Sequence, residues 1–98
     1  MKQIDFKLIV EIQRLIIQKF EIEDDYFVDY RIVRAKERAI NNRLSKITSN
    51  KKEQGKIFDI IEKGSWRTDD LSYKCICDEL RALGYEILKG EQNNVKKI

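Results

Sequence analysis

The chain has 98 residues, of which 42% are hydrophobic and 38% are charged, and its formal net charge is +3. This length fits one domain, and the high charged content with four glycines and no proline argues against a loop-rich β fold. Histidine is absent, which removes the commonest general base and the commonest transition-metal ligand. No apolar run reaches ~18 residues and no signal-peptide pattern occurs, so we expect a cytoplasmic protein without a membrane partner.

Residues 4–22 are predicted to form the first helix. A narrow polar stripe repeats at helical spacing and consists of Lys7, Glu11, Arg14, Gln18 and Glu21. Ile4, Phe6 and Leu8 begin an alternation typical of a strand, but four turns of helical spacing favour a helix throughout. The apolar arc is wider than the ~100° stripe that a surface helix of a monomer needs. We therefore expect this helix to be surrounded, either by the rest of its own chain or by a second copy in a homodimer.

The junction before the second helix is rich in acids and aromatic side chains. The acids at 23–25 end the first helix and offer N-caps for the second, with Asp29 near its first turn. Tyr26, Phe27 and Tyr30 suit a hydrophobic staple, an inter-helix core or a short extended stretch, and local sequence does not decide among these. The second helix is predicted to continue to about Thr48.

Positive charge is concentrated in residues 31–56, which hold nine Lys/Arg and two Asp/Glu for a net charge of +7. The flanking segments, 1–30 and 57–98, have net charges of −3 and −1. On a helical wheel at ~100° per residue, the polar residues share one side, which we call the basic face: Arg31, Arg34, Arg38, Asn41, Asn42 and Ser45. The opposite side is an apolar stripe: Ile32, Val33, Ala39, Ile40, Leu44 and Ile47.

Arginine and asparagine are the side chains that suit phosphates and base edges, so the basic face is a candidate nucleic-acid contact. Lys46, Lys51 and Lys52 would extend it along the phosphate backbone. The alternative is a solvated face or one that docks on an acidic protein, since charge alone is non-specific. Lys36 and Arg43 project into the apolar stripe instead. Either their stems pass the core to reach solvent, or they pair with acids of the first helix such as Glu11 or Glu21.

The rest of the chain predicts two further helices and a short β element. Asn50 and Glu53 resemble a capping box before a helix over 51–63, which Gly64 ends. Thr68 is predicted to cap the fourth helix, which stops at Gly84. Residues 85–88 and 95–98 can form a short hairpin. The fold class is thus mainly α, a small bundle of about four helices in one domain over 1–98, with 94–98 expected to fray.

Residues 78–88, with Leu-Gly-Tyr-Glu-Ile after a helix, resemble the last helix and wing of a winged helix-turn-helix domain. The resemblance implies a DNA-binding fold whose three helices would be the second, third and fourth of this chain. The spacing departs from that family, because only residues 65–68 separate the third helix from the fourth. The resemblance is too short to assign the chain to the family.

Trp66 and Arg67 form a candidate partner-binding pair, since tryptophan and arginine are favoured interface anchors. The alternative places Trp66 in the core or as a cap over the fourth helix. Cys75 and Cys77 are expected to be core thiols, because two cysteines without histidine make no zinc site. The acidic clusters occur where helices begin, which explains them without a metal.

No enzyme, metal or cofactor is therefore predicted. The favoured function is a nucleic-acid-binding regulatory or accessory protein, binding DNA or RNA, of the type found in phages and mobile elements. The alternative is a protein–protein interaction module or inhibitor that docks on an acidic partner. An assembly subunit that associates through the first helix is a third option.

Overall fold

The computed structural model describes residues 2–24, 26–66 and 72–88. In chain order, these residues form β1 (Lys2–Asp5), α1 (Phe6–Glu23), α2 (Tyr30–Ile47), α3 (Lys51–Ser65), α4 (Ser72–Ala82) and β2 (Tyr85–Leu88). The four helices confirm the prediction of a mainly α bundle.

Three helices begin at a side chain that caps their free N–H groups. Asp5 caps α1, Asp29 caps α2 and Asn50 caps α3, each accepting a hydrogen bond from a backbone N–H two or three residues later. Asn50 was predicted to cap α3, whereas the acids at 23–25 were the predicted caps of α2 and Asp29 takes that place. The predicted cap of α4, Thr68, lies outside the described residues.

The start of the chain corrects the sequence prediction. Residues 2–5 form a strand, so the alternation there does reflect β structure, and Asp5 ends it by capping α1. β1 pairs with β2 in parallel, with Lys2 opposite Tyr85 and Ile4 opposite Ile87. The strand at 85–88 was predicted, but its observed partner is the N-terminal strand. The other half of the predicted hairpin, 95–98, lies outside the described residues.

The core is built around α1, which packs against both α2 and α3. Its buried cluster draws on every helix and both strands: Ile4, Ile9, Ile12, Ile16, Ile40, Leu44, Ile57, Ile61, Ile76, Cys77, Leu80 and Tyr85. Every apolar side chain of α1 is buried or half-buried. The wide apolar arc of α1 is thus covered largely by the rest of its own chain. A homodimer through α1 stays a prediction, but it is not needed to bury this arc.

Gly64 and Gly84 were both predicted to end helices, and only Gly84 does so. Gly64 does not end α3 as predicted, since it is buried within the helix, which continues to Ser65. Gly84 does end the α4 segment, with a φ of 106° that L-residues rarely adopt, and its N–H donates to the carbonyl of Arg81.

Candidate nucleic-acid interface

α2 separates its apolar and polar sides as the wheel predicted. Val33, Ile40 and Leu44 are buried. All six residues of the basic face are exposed, as are Lys46, Lys51 and Lys52. One member of the apolar stripe departs from the prediction, because Ile32 is 45% exposed. The structure therefore presents the basic face to solvent along the whole length of α2.

The arginines of the basic face differ in their partners. Arg31 is 94% exposed and its Nε lies 3.4 Å from Oδ1 of Asp29. Among the residues that the structure describes, Arg34 and Arg38 form no ion pair or hydrogen bond through their side chains. Two guanidinium groups about one turn apart are thus available to an anionic partner.

Two other cations of α2 serve the fold instead. Arg43 Nε donates to Oε1 of Glu11 at 3.1 Å, and Lys36 Nζ donates to Oε1 of Gln18 at 2.9 Å. Both partners belong to α1. Pairing with the first helix, one of two options that the sequence left open, is confirmed for Arg43 with Glu11.

Negative charge in α2 lies at the edge of the basic face, one helical turn from Asn41, and is paired with α1. Glu37 is its one acidic residue. The Glu37 carboxylate lies 3.6 Å from Lys19 Nζ on α1. This pairing leaves the local field of the exposed face positive.

Asn41 and Lys51 lie together at an open groove of about 480 Å³ that involves α1, α2 and α3. The groove is lined by Lys19, Glu37, Ile40, Asn41, Leu44, Lys51, Gln54, Gly55, Phe58 and Asp59. Tertiary structure thus places Lys51, one of the two candidate lysines on α3, in the same groove as Asn41 of α2. Charges of both signs line the groove, so it is less suited to a polyanion than the basic face is.

Three aromatic side chains at the start of α2 are exposed. Tyr26 is 91% exposed, Phe27 84% and Tyr30 67%. They are neither a staple nor an inter-helix core, two of the options that the sequence left open. Helical periodicity gave no signal for Tyr26 and Phe27, because they precede the helix.

Trp66 is 55% exposed, so it is not a core residue. Its ring meets that of Phe20 edge-on, with centroids 4.6 Å apart. Together with Ile17 the two rings line an open cleft of about 600 Å³ whose other lining residues are acidic: Glu21, Glu23 and Asp24. Arg67, the second residue of the predicted pair, lies outside the described residues.

The perturbed titratable groups lie away from the basic face. A hydrogen bond from Lys2, at 2.7 Å, lowers the pKa of Glu53. Burial chiefly raises the pKa of Tyr85 to about 12. A hydrogen bond from Lys74 lowers the pKa of Asp78 on α4. The pKa shift of Tyr85 thus comes chiefly from burial, and those of Glu53 and Asp78 come from contacts between structural elements or between turns of a helix.

The structure describes both cysteines of the chain. Neither cysteine forms a disulfide, Cys77 is buried and Cys75 is half-buried, and the burial of Cys77 agrees with the predicted core role. Among residues 2–24, 26–66 and 72–88, no three His, Cys, Asp or Glu side chains meet to hold a metal ion.

The sequence matches no protein-family model, and no curated protein or solved structure is significantly similar to it. In the described part of the chain, no helix combines the length and apolar character needed to cross a bilayer.

Proposed function

We propose that the protein is a non-enzymatic nucleic-acid-binding factor, regulatory or accessory in role, that contacts its target through the basic face of α2. One observation carries the proposal: Arg34 and Arg38 are exposed and form no ion pair among the described residues. Two exposed arginines about one turn apart, beside two asparagines, present donors that suit phosphates and base edges.

The dimensions of α2 suit this role. Its 18 residues make a rod about 27 Å long. An isolated helix face can enter a major groove or follow a phosphate backbone. Arginine binds phosphate or guanine, and asparagine at positions such as Asn41 and Asn42 can pair with adenine.

The charge balance of α4 supports a contact made by α2 and the beginning of α3. On α4, Asp78 is exposed and accepts hydrogen bonds from Lys74 at 2.8 Å and Arg81 at 3.2 Å. α4 carries two cations, Lys74 and Arg81, and two acids, Asp78 and Glu79, so it has no net charge and is a poor surface for phosphates. The proposal is therefore a single-face contact rather than wrapping of the nucleic acid.

The test compares two double charge reversals by fluorescence anisotropy at low salt, with labelled DNA and RNA. Arg34→Glu with Arg38→Glu should abolish binding, because it reverses the centre of the basic face. The control, Arg14→Glu with Lys63→Glu, makes the same change in net charge at exposed cations of α1 and α3 outside the basic face. Equal binding by the two variants would show that the basic face is not the site.

A protein-interaction module that docks the basic face on an acidic partner is the second candidate. The exposed Trp66 favours it, because tryptophan is a preferred anchor in interfaces. Trp66→Ala discriminates between the two functions. It should leave oligonucleotide binding unchanged under the proposed function, and it should weaken capture of a protein partner under the second.

A further inference from the structure

We propose that the nucleic acid is single-stranded where it meets the N-terminal end of α2, and that its unpaired bases stack on Tyr26, Phe27 and Tyr30. This inference rests on the proposed function. It adds the form of the target and three residues that the basic face did not include.

Three aromatic side chains at the start of α2 are largely in contact with solvent. Tyr26, Phe27 and Tyr30 lie within five positions of one another and are 91%, 84% and 67% exposed. Aromatic side chains gain more than most from burial, so leaving three of them in water contributes little to folding. Such a cluster in a small chain marks a surface that a partner covers.

Two rings of this aromatic cluster pack against each other. The centroids of Tyr26 and Phe27 are 5.2 Å apart, and their planes meet at 69°. Two rings that pack on each other edge-on are partly ordered before any ligand arrives, while their exposure keeps other faces open. Flat π surfaces of this kind are what unstacked bases use in single-strand recognition.

The aromatic cluster is continuous with the basic face along α2. Tyr30 precedes Arg34 by four residues in the same helix, which puts them on one side with Cβ atoms ~5–6 Å apart. Arg38 follows Arg34 by a further four. A strand whose phosphates meet the arginines therefore reaches the aromatic cluster with its bases.

Of the acids at this junction, Asp29 is the one next to Tyr30 in the chain, and local contacts offset its charge. Asp29 caps α2 by accepting from the N–H of Arg31, and its Oδ1 also lies 3.4 Å from Arg31 Nε. Its charge is therefore partly offset by the helix N-terminus and by an arginine. Stacking requires unpaired bases, since duplex bases already stack on their neighbours, and this favours a single strand over a duplex at the cluster.

The experiment measures binding of a labelled oligo(dT) of about 20 nucleotides, longer than the ~4–16 that a single-strand-binding domain covers, and of a random duplex of equal length. Tyr26→Ala with Phe27→Ala should weaken oligo(dT) binding by about fivefold to a hundredfold per stacked base. Duplex binding should be unchanged. Tyr26→Phe with Phe27→Tyr keeps both rings and should retain oligo(dT) binding.

Thermal unfolding of the alanine variant serves as the folding control, and an unchanged midpoint is expected because both side chains are exposed. Photocrosslinking of a bromouracil-substituted strand should attach to residues 26, 27 or 30. Unchanged oligo(dT) binding by the alanine variant, or an equal loss for single strand and duplex, would overturn the stacking role alone. Failure of the wild-type protein to bind either form would remove the proposed function as well.

Discussion

Arg43 of α2 donates from Nε to Oε1 of Glu11 on α1, at 3.1 Å, and its Nη1 donates to the carbonyl of Ala39 at 3.3 Å. This contact divides the cations of α2 into two groups. Arg43 and Lys36 face α1 and join the helices, whereas Arg34 and Arg38 face solvent. The same residue type thus serves packing on one side of α2 and, in our proposal, recognition on the other.

The Arg43–Glu11 pair should contribute little to stability and nothing to nucleic-acid binding. Its side chains are 32% and 41% exposed, so water screens the attraction, and we expect a coupling of about 0.2–1 kcal/mol. The measurement is a double-mutant cycle in urea unfolding with Glu11→Gln and Arg43→Met, which keeps an apolar stem. A coupling above about 2 kcal/mol, or a loss of oligonucleotide binding in Arg43→Met, would contradict the division of roles.

Two alanine substitutions at glycine should change stability in opposite directions. A Cβ at Gly55 or Gly84 would meet no atom within 4 Å, so neither change produces a clash. Gly55 lies inside α3, where alanine should stabilise the helix by about 0.5–1 kcal/mol. Gly84 has a φ of 106°, which strains any other residue, so Gly84→Ala should destabilise by about 1–3 kcal/mol.

Urea unfolding of both variants provides the measurement, and each is the control for the other because the added methyl group is identical. A stabilised Gly84→Ala variant would show that the turn after α4 tolerates a different backbone conformation.

Tyr85 should make the protein less stable at alkaline pH. Burial chiefly, with a contribution from the Glu53 carboxylate, raises the pKa of Tyr85 from 10.0 to about 12. The folded chain therefore holds this proton more tightly than the unfolded chain does. The resulting stability is fully present below about pH 10 and is lost as the pH rises towards about 12.

Unfolding free energies of the wild type and of Tyr85→Phe, measured by urea titration across that range, should diverge as the pH rises. Lysine titration is common to both proteins, so their difference isolates Tyr85. Parallel curves would mean that the hydroxyl ionises as it does in water.

Salt should weaken binding by a predictable amount. The basic face with Lys46, Lys51 and Lys52 offers six Lys/Arg. If each meets one phosphate, the slope of log K against log salt concentration is at most about −5 for a duplex and −4 for a single strand. Arg34→Ala with Arg38→Ala should make the slope shallower by about 1 to 2. A steeper wild-type slope would indicate cations beyond these six, and a slope near zero would exclude phosphate contact.

Local sequence was sufficient for much of the candidate site. The 3.6-residue period of α2 placed Arg34 and Arg38 opposite Val33 and Ile40, and the structure shows the same separation. The N-cap at Asn50 was also predicted from local sequence, because Glu53 follows it three residues later. Periodicity and capping depend on groups three or four residues apart, so the chain near each position contains the information.

Tertiary structure alone decided three other features. β1 pairs with a strand more than eighty residues away in the chain, with Lys2 opposite Tyr85, although the local pattern favoured an early helix and a C-terminal hairpin. The exposure of Tyr26 and Phe27 depends on how the end of α1 is positioned relative to the start of α2. The choice of Glu11 as the partner of Arg43 depends on the relative position of α1 and α2.

The sequence by itself therefore determined the helical composition of the bundle, the cap of α3 at Asn50 and the exposed basic face, because these follow from neighbouring residues along the chain. The tertiary structure decided the parallel pairing of the two strands, the covering of α1 and the aromatic cluster beside the arginines. Those features depend on which distant surfaces bury the most apolar area together, and the spacing of residues along one helix does not specify that.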